Sequence, residues 1–132
     1  MLLTKLKEAF KEDKKIAVLH LNGVIGSEQT SIMKSKNFST KNFLKQLENI
    51  INEKKYHGIL LRINSPGGSA GSSEEIAQMF RKVRTLNIPI VSSIGDICAS
   101  GAYMIAAQSH YIFAGKMSLV GSIGVIMQIP NF

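Results

Sequence analysis

Ser100 is the residue of this 132-residue chain whose surroundings best suit covalent chemistry. It stands between Ala99 and Gly101, after an apolar run and at the expected start of a short apolar helix. Small neighbours let a carbonyl approach the hydroxyl, and the free amides of a helix start favour negative charge. A serine nucleophile and its oxyanion require both. The same placement suits an ordinary helix N-cap, so the local sequence leaves both roles open.

Gly67 and Gly68, within Asn64-Ser65-Pro66-Gly67-Gly68-Ser69, form the second element. Pro66 fixes its own backbone, and consecutive glycines permit positive φ and close approach by another backbone. Amides exposed there can donate to an oxyanion or hold an extended peptide, and a plain strand-to-helix turn is the competing reading. A phosphate loop needs the G-x-x-x-x-G-K-[ST] spacing, and no lysine follows Gly68 or Gly71. Nucleotide binding is disfavoured.

A base for Ser100 is harder to find. A Ser-His-Asp triad needs a histidine. His20 lies within an apolar strand, His57 just ahead of one and His110 at the end of a helix, all places for structural histidines. Asp96, although near Ser100, cannot serve as the usual base without a histidine. A desolvated lysine is the other base for serine, but Lys116, the one lysine after Ser100, reads as part of an exposed turn, Gly115-Lys116-Met117. Cys98 lacks a histidine or cationic neighbour and reads as a buried, inert thiol. As the one cysteine it excludes a disulfide framework and a cysteine-rich zinc site, and with three scattered histidines a metal enzyme is not expected; no cofactor is implied.

The elements that must position these residues alternate between strands and helices. Ile16 to Leu21, Gly58 to Ile63 and Ile88 to Ile94 read as buried strands, and Tyr111 to Ala114 and Ile123 to Gln128 as shorter ones. Phe43, Leu44, Leu47, Ile50 and Ile51 share one helical face. A second helix is predicted from Ser73 to Leu86, with Ser72 and Glu75 at capping-box spacing and Ile76, Met79, Phe80 and Val83 as its buried stripe. A third spans Ala102 to Gln108, after a small-residue turn from Gly95 to Gly101. Ser27 to Thr40 is polar and reads as a loop. This alternation implies an α/β fold with a mostly parallel sheet and helical crossovers, whose ligands bind beyond the carboxyl ends of strands. Both glycine-rich segments lie there.

Composition narrows the function. With 45% hydrophobic and 19% charged residues the chain is globular, and its length suits one domain. We divide it into a basic amphipathic segment, residues 1–15, and a domain, residues 16–132. Residues 2–11 carry Leu2, Leu3, Leu6, Ala9 and Phe10 at helical spacing, which fits packing on the domain or lying on a membrane surface. The net charge of +7 is concentrated in the part up to Tyr56, where eleven lysines face six acids. Those lysines are interspersed with Glu and Asn and carry no reading motif, so a solvated face is expected and nucleic acid is not. No run approaches the ~18 apolar residues of a spanning helix, and no signal peptide opens the chain, so as written it reads as soluble.

Three stretches together resemble a known family: Leu60 to Ile76 (LLRINSPGGSAGSSEEI), Ile88 to Ala107 (IPIVSSIGDICASGAYMIAA) and Gly121 to Gln128 (GSIGVIMQ). They look like the signal peptide peptidase A or protease IV family of serine-lysine peptidases, and Ile16 to Gly26 resembles that family's first core strand. The resemblance implies the ClpP/crotonase fold and cleavage of peptides, notably signal peptide remnants at the bacterial membrane. It implies that Ser100 is the nucleophile and that Ser122 orients the catalytic lysine. It places one oxyanion donor at Gly68, with Gly67 beside it, and the other at Ser100 or Gly101. The family's lysine lies further along than Phe132, so the expectation is the front part of a peptidase domain, truncated at its C-terminus. Its lysine then comes from the absent part or from a neighbouring subunit, and homo-oligomerisation and inactivity of the chain alone follow. Location at the extracytoplasmic side of the membrane is implied by the family too. The alternatives are a ClpP-like peptidase, disfavoured because Gly121 to Ile126 contains no histidine, a crotonase-type acyl-CoA enzyme, and a truncated non-catalytic scaffold that binds peptides.

Overall fold

The structure is a computed structural model and describes residues 2–4, 14–26, 38–124 and 128–131. Its main sheet is parallel. Strand β1 (Lys15–Asn22) pairs with β4 (Tyr56–Ser65), β4 with β5 (Ile90–Ala99), and β5 with β6 (Tyr111–Ala114). Between β1 and β4 lie the short strands β2 (Ile25–Gly26) and β3 (Phe38–Ser39), paired with each other. Three helices make the crossovers: α1 (Thr40–Glu53), α2 (Ala70–Thr85) and α3 (Gly101–Ala106).

The sheet grows in one direction, in sequence order. Right-handed crossovers that never reverse place every connecting helix on the same face. The core therefore lies on that face. Leu19, Leu21, Ile59, Leu61, Ile63 and Ile90 point into it from the strands, and Phe43, Leu47, Ile76, Phe80 and Val83 meet them from α1 and α2. Phe80 is fully buried and stacks against Phe43 at 6.2 Å between ring centroids.

Strand β5 serves two partners on one edge. Its first part, Val91 to Ile94, pairs with β6, and its last part, Ile97 to Ala99, pairs with β7 (Leu119–Gly121). Three expectations change accordingly. The stretch from Gly95 to Ala99 is strand rather than turn, because β7 supplies it with a second ladder. The last strand falls on Leu119–Gly121 and not on Ile123 to Gln128, of which residues 125–127 lie outside the described ones. Helix α2 starts at Ala70, capped by the Ser69 side chain accepting the Ser72 N–H at 3.3 Å; Ser72 and Glu75 lie inside the helix. Of the amphipathic helix expected over residues 2–11, residues 2–4 are helical and exposed, and the rest lies outside the described residues, as do residues 27–37 of the polar loop.

Candidate active site

Two strand-to-helix junctions lie side by side at the carboxyl end of the sheet, β4 to α2 and β5 to α3. The first is held from below. Ser65 is buried, and its hydroxyl donates to the Gly23 carbonyl at 2.6 Å while accepting the Gly67 N–H at 3.1 Å. On one side the turn runs like a strand beside Ile25, whose N–H donates to the Gly67 carbonyl at 2.9 Å and whose carbonyl accepts the Ser69 N–H at 2.6 Å. In a strand-like run successive amides point to opposite sides, so the Gly68 N–H faces away from Ile25. Among the described residues it donates no hydrogen bond.

The second junction carries Ser100 at φ 54° and ψ −125°. A non-glycine residue in that region stores on the order of 1–3 kcal/mol of strain, and such outliers mark sites rather than ordinary turns. Lys54 and Asn87 also have positive φ, but both stand just past helix ends, where the left-handed conformation is common. Ser100 stands at the N-cap position of α3, but its side chain makes no capping bond. A sharp strand-to-helix turn of this kind lifts a serine hydroxyl clear of the sheet. Ser100 is partly exposed there.

The junctions touch. A Cβ placed on Gly67, whose φ is 94°, meets the Ala99 carbonyl at 2.7 Å, the Ser100 Cβ at 2.8 Å and the Gly101 nitrogen at 2.9 Å. One placed on Gly68 collides with the Ile25 carbonyl, and one on Gly101 collides with the buried Ser73 hydroxyl. These contacts are why the sequence is glycine at all three positions. That Gly101 Cβ position is 3.9 Å from the Gly68 nitrogen, so the first amide of α3 and the Gly68 amide are neighbours. The Ser100 N–H is engaged, donating to the Gly121 carbonyl at 2.9 Å. Of the two residues expected to hold the second donor, Gly101 is the one whose amide is uncommitted among the described residues, as the first turn of a helix leaves it.

Ser122 adjoins Gly121, is exposed and has φ 54°. It makes no hydrogen bond among the described residues. Thus Ser100, Gly67, Gly68 and Gly101 come together directly, and Ser122 joins them through the β7 carbonyl. Cys98 is fully buried, and burial pushes its thiol up to about 11. His110 accepts the Ile90 N–H at Nδ1, at 3.0 Å, a structural role. His57 lies at the start of β4, roughly 30 Å of strand from the site. His20 is exposed, on the sheet face that the helices leave bare. Lys116 sits in an exposed turn.

Sequence reasoning missed three positioning residues. The Asn64 side-chain oxygen accepts the N–H groups of Asp96 and Ile97, each at 3.1 Å, where the β4–β5 register shifts. It fastens the strand before one junction to the strand before the other. Ser65 and Ser73 brace the two turns. A short polar residue just before Pro-Gly-Gly was the available signal for the first two, because Asn and Ser satisfy irregular backbone locally. For Ser73, buried in a helix, there was none.

A one-directional parallel sheet with a serine elbow beside a glycine pair defines a class, the ClpP/crotonase-like fold. Solved structures agree. A variant of the 1510-N membrane-bound stomatin-specific protease aligns with TM-score 0.64 over 89% of this chain and 52% of that one, at 18% identity. A ClpP1 variant from Listeria monocytogenes aligns with TM-score 0.55 over 83% and 52%, also at 18% identity. At those identities the likeness establishes the fold. The sequence profile of Peptidase family S49 matches residues 82–132. The "Putative signal peptide peptidase SppA" of Enterococcus faecium is 40% identical over 91% of this chain, and the "Protease 4" of Haemophilus influenzae 31% identical over 95%. The profile and these relatives support the signal peptide peptidase A family, peptidase family S49, for this partial chain. The chain spans 35% and 20% of the lengths of those two relatives. Among the described residues no helix is long and apolar enough to cross a membrane.

Proposed function

We propose that this chain carries the nucleophile and the oxyanion hole of a serine endopeptidase that cleaves signal-peptide-type substrates at the extracytoplasmic side of a bacterial membrane. The observation that carries the reading is Ser100 at a strained elbow, beside two uncommitted amides at Gly68 and Gly101. A neutral lysine, supplied from outside residues 1–132, takes the proton of the Ser100 hydroxyl. Oγ attacks the scissile carbonyl, and the carbonyl π electrons move onto oxygen. The Gly68 and Gly101 amides hold that oxyanion, a contribution of about 3 kcal/mol per donor in comparable sites. The lysine ammonium then protonates the leaving amine as the C–N bond breaks, and an acyl ester remains on Ser100. The same lysine removes a proton from water, which attacks the ester, and returns that proton to Ser100 Oγ as the C–Oγ bond breaks and the acid leaves.

In this reading Ser122, one residue beyond the carbonyl that fixes the Ser100 amide, receives and orients that lysine. Cys98 does not compete as nucleophile, because its buried thiol holds its proton. The family and the named relatives support peptidase chemistry; the substrate class follows from the signal peptide peptidase resemblance. Assembly of several copies supplies a lysine by another route, from a neighbouring subunit.

The test is made on the protein isolated from its own cells, with a fluorophosphonate that esterifies activated serines. We expect an adduct on Ser100 and none after Ser100→Ala. An adduct that survives the substitution, or no adduct on the intact protein, overturns the assignment; the second outcome favours a peptide-binding scaffold.

A further inference from the structure

Among the described residues, no element covers the sheet face opposite the helices. All-parallel sheets are buried on both faces in folded proteins, because their strands carry apolar residues to both. Here the one-directional strand order leaves the second face without a crossover. The register shows what lies on it. One row runs Val18, Leu60, Val91, Tyr111 across four strands, and the next runs His20, Arg62, Ser93, Phe113. Ile16 adjoins the first row at the edge, over Gly58. Val18 is 54% exposed, Tyr111 68% and Phe113 63%.

Arg62 stands at the middle of this face. Its guanidinium donates to the Ser93 hydroxyl at 2.9 Å, and among the described residues it has no carboxylate partner. Its flanking register partners, His20 and Ser93, provide no negative charge. The chain as a whole carries +7. A second copy laid on this face adds like charge and brings an apolar row and an arginine, not the anion that Arg62 lacks. The relatives offer another occupant, since this chain spans 35% of the length of one of them and 20% of another.

We infer that this face is an interface for a segment of S49-type polypeptide outside residues 1–132, which covers the Val18–Tyr111 row with apolar side chains and presents a carboxylate to Arg62. The apolar row drives association by removing its area from water. Arg62, desolvated by the cover, makes a charge-assisted and preferably bidentate pair that fixes register. The inference stands apart from the chemistry of Ser100.

The experiment uses the protein in its own cells, with a photo-crosslinking amino acid in place of Val18. The expected result is a cross-link to S49-type sequence outside residues 1–132 that carries an Asp or Glu within reach of Arg62. Arg62→Glu abolishes the cross-link, and reversing the partner's acid to Arg restores it. Circular dichroism of the Arg62→Glu protein separates loss of docking from loss of folding. In parallel, Val18→Cys is protected from maleimide in the native protein and reacts freely in the 132-residue chain alone. Cross-linking to residues 1–132 of another copy, to the chain's own N-terminal segment or to an unrelated protein overturns the inference. So does a mapped segment whose charge reversal fails to restore Arg62→Glu, or a Val18→Cys thiol that stays reactive in the native protein.

Discussion

The two strand-to-helix junctions begin from the same local problem and solve it in opposite ways. Each must turn a buried parallel strand into a helix on the same face of the sheet. The β4–α2 turn is written with Pro66, Gly67 and Gly68, and every backbone bond that it makes is directed down or sideways, to Ser65 and Ile25. What remains is an amide pointing at its neighbour. The β5–α3 turn is written with a serine at φ 54°, and its strain presents a side chain instead of an amide. Gly67 and Gly101, with no Cβ, let the two lie within contact. The lesson is that the free amide and the raised serine hydroxyl are made by separate turns, and they meet because strand pairing sets those turns next to each other.

Four substitutions separate the turns experimentally, and a fifth tests the thiol beneath them. The largest effect is expected at Gly68→Ala, whose methyl group collides with the Ile25 carbonyl; urea unfolding should show a loss of about 3 kcal/mol. Gly71→Ala is its control, lying in α2 with its nearest atom 4.0 Å away, and should gain about 1 kcal/mol. Equal effects at the two positions would mean that the close contact is not made. Ser65→Ala leaves a buried Gly67 amide and the Gly23 carbonyl without their shared partner, and about 2 kcal/mol should be lost in the same assay.

Ser100→Gly tests the other turn from the opposite direction. Removing the Cβ relieves strain, so melting should show a gain of about 1 kcal/mol together with complete loss of fluorophosphonate labelling. A destabilised glycine variant would refute the strained elbow. The smallest effect near neutral pH concerns Cys98. Its thiol is raised from 9.0 to about 11 by burial, so the folded state holds a proton that the unfolded chain releases. That contribution is intact below pH 9.0 and is lost as pH rises through about 11. A Cys98→Ser variant should flatten the decline over that window, and Ellman's reagent at pH 8 should label the native thiol only after unfolding.

How much of this was legible beforehand follows from the range of each interaction. Apolar periodicity revealed β1, β4, α1 and α2, since a buried face marks the sequence every two or every three to four residues. Ser100, Gly67 and Gly68 were visible because small residues and serine cluster rarely between a strand and a helix. The extent of β5 was not, because its last residues are Gly95 and Asp96 followed by a short apolar run, and only the distant β7 makes them strand. The cap of α2 was misplaced by three residues, since Ser69, Ser72 and Ser73 look alike until tertiary packing buries one of them. The choice between the Ser100 and Gly101 amides depended on the Gly121 carbonyl, which lies in a later strand, and register, not composition, decides such pairing. The bare face needed the strand order itself, which no local pattern encodes.

The central claim is that Ser100 attacks while Gly68 and Gly101 hold the oxygen. Its most direct test is a crystal structure of the protein from its own cells with a peptide aldehyde bound. The account predicts a hemiacetal on Ser100 Oγ, with its oxygen within hydrogen-bond distance of both the Gly68 and Gly101 nitrogens. An adduct on another residue, or a Ser100 hemiacetal whose oxygen points away from those two amides, would contradict it.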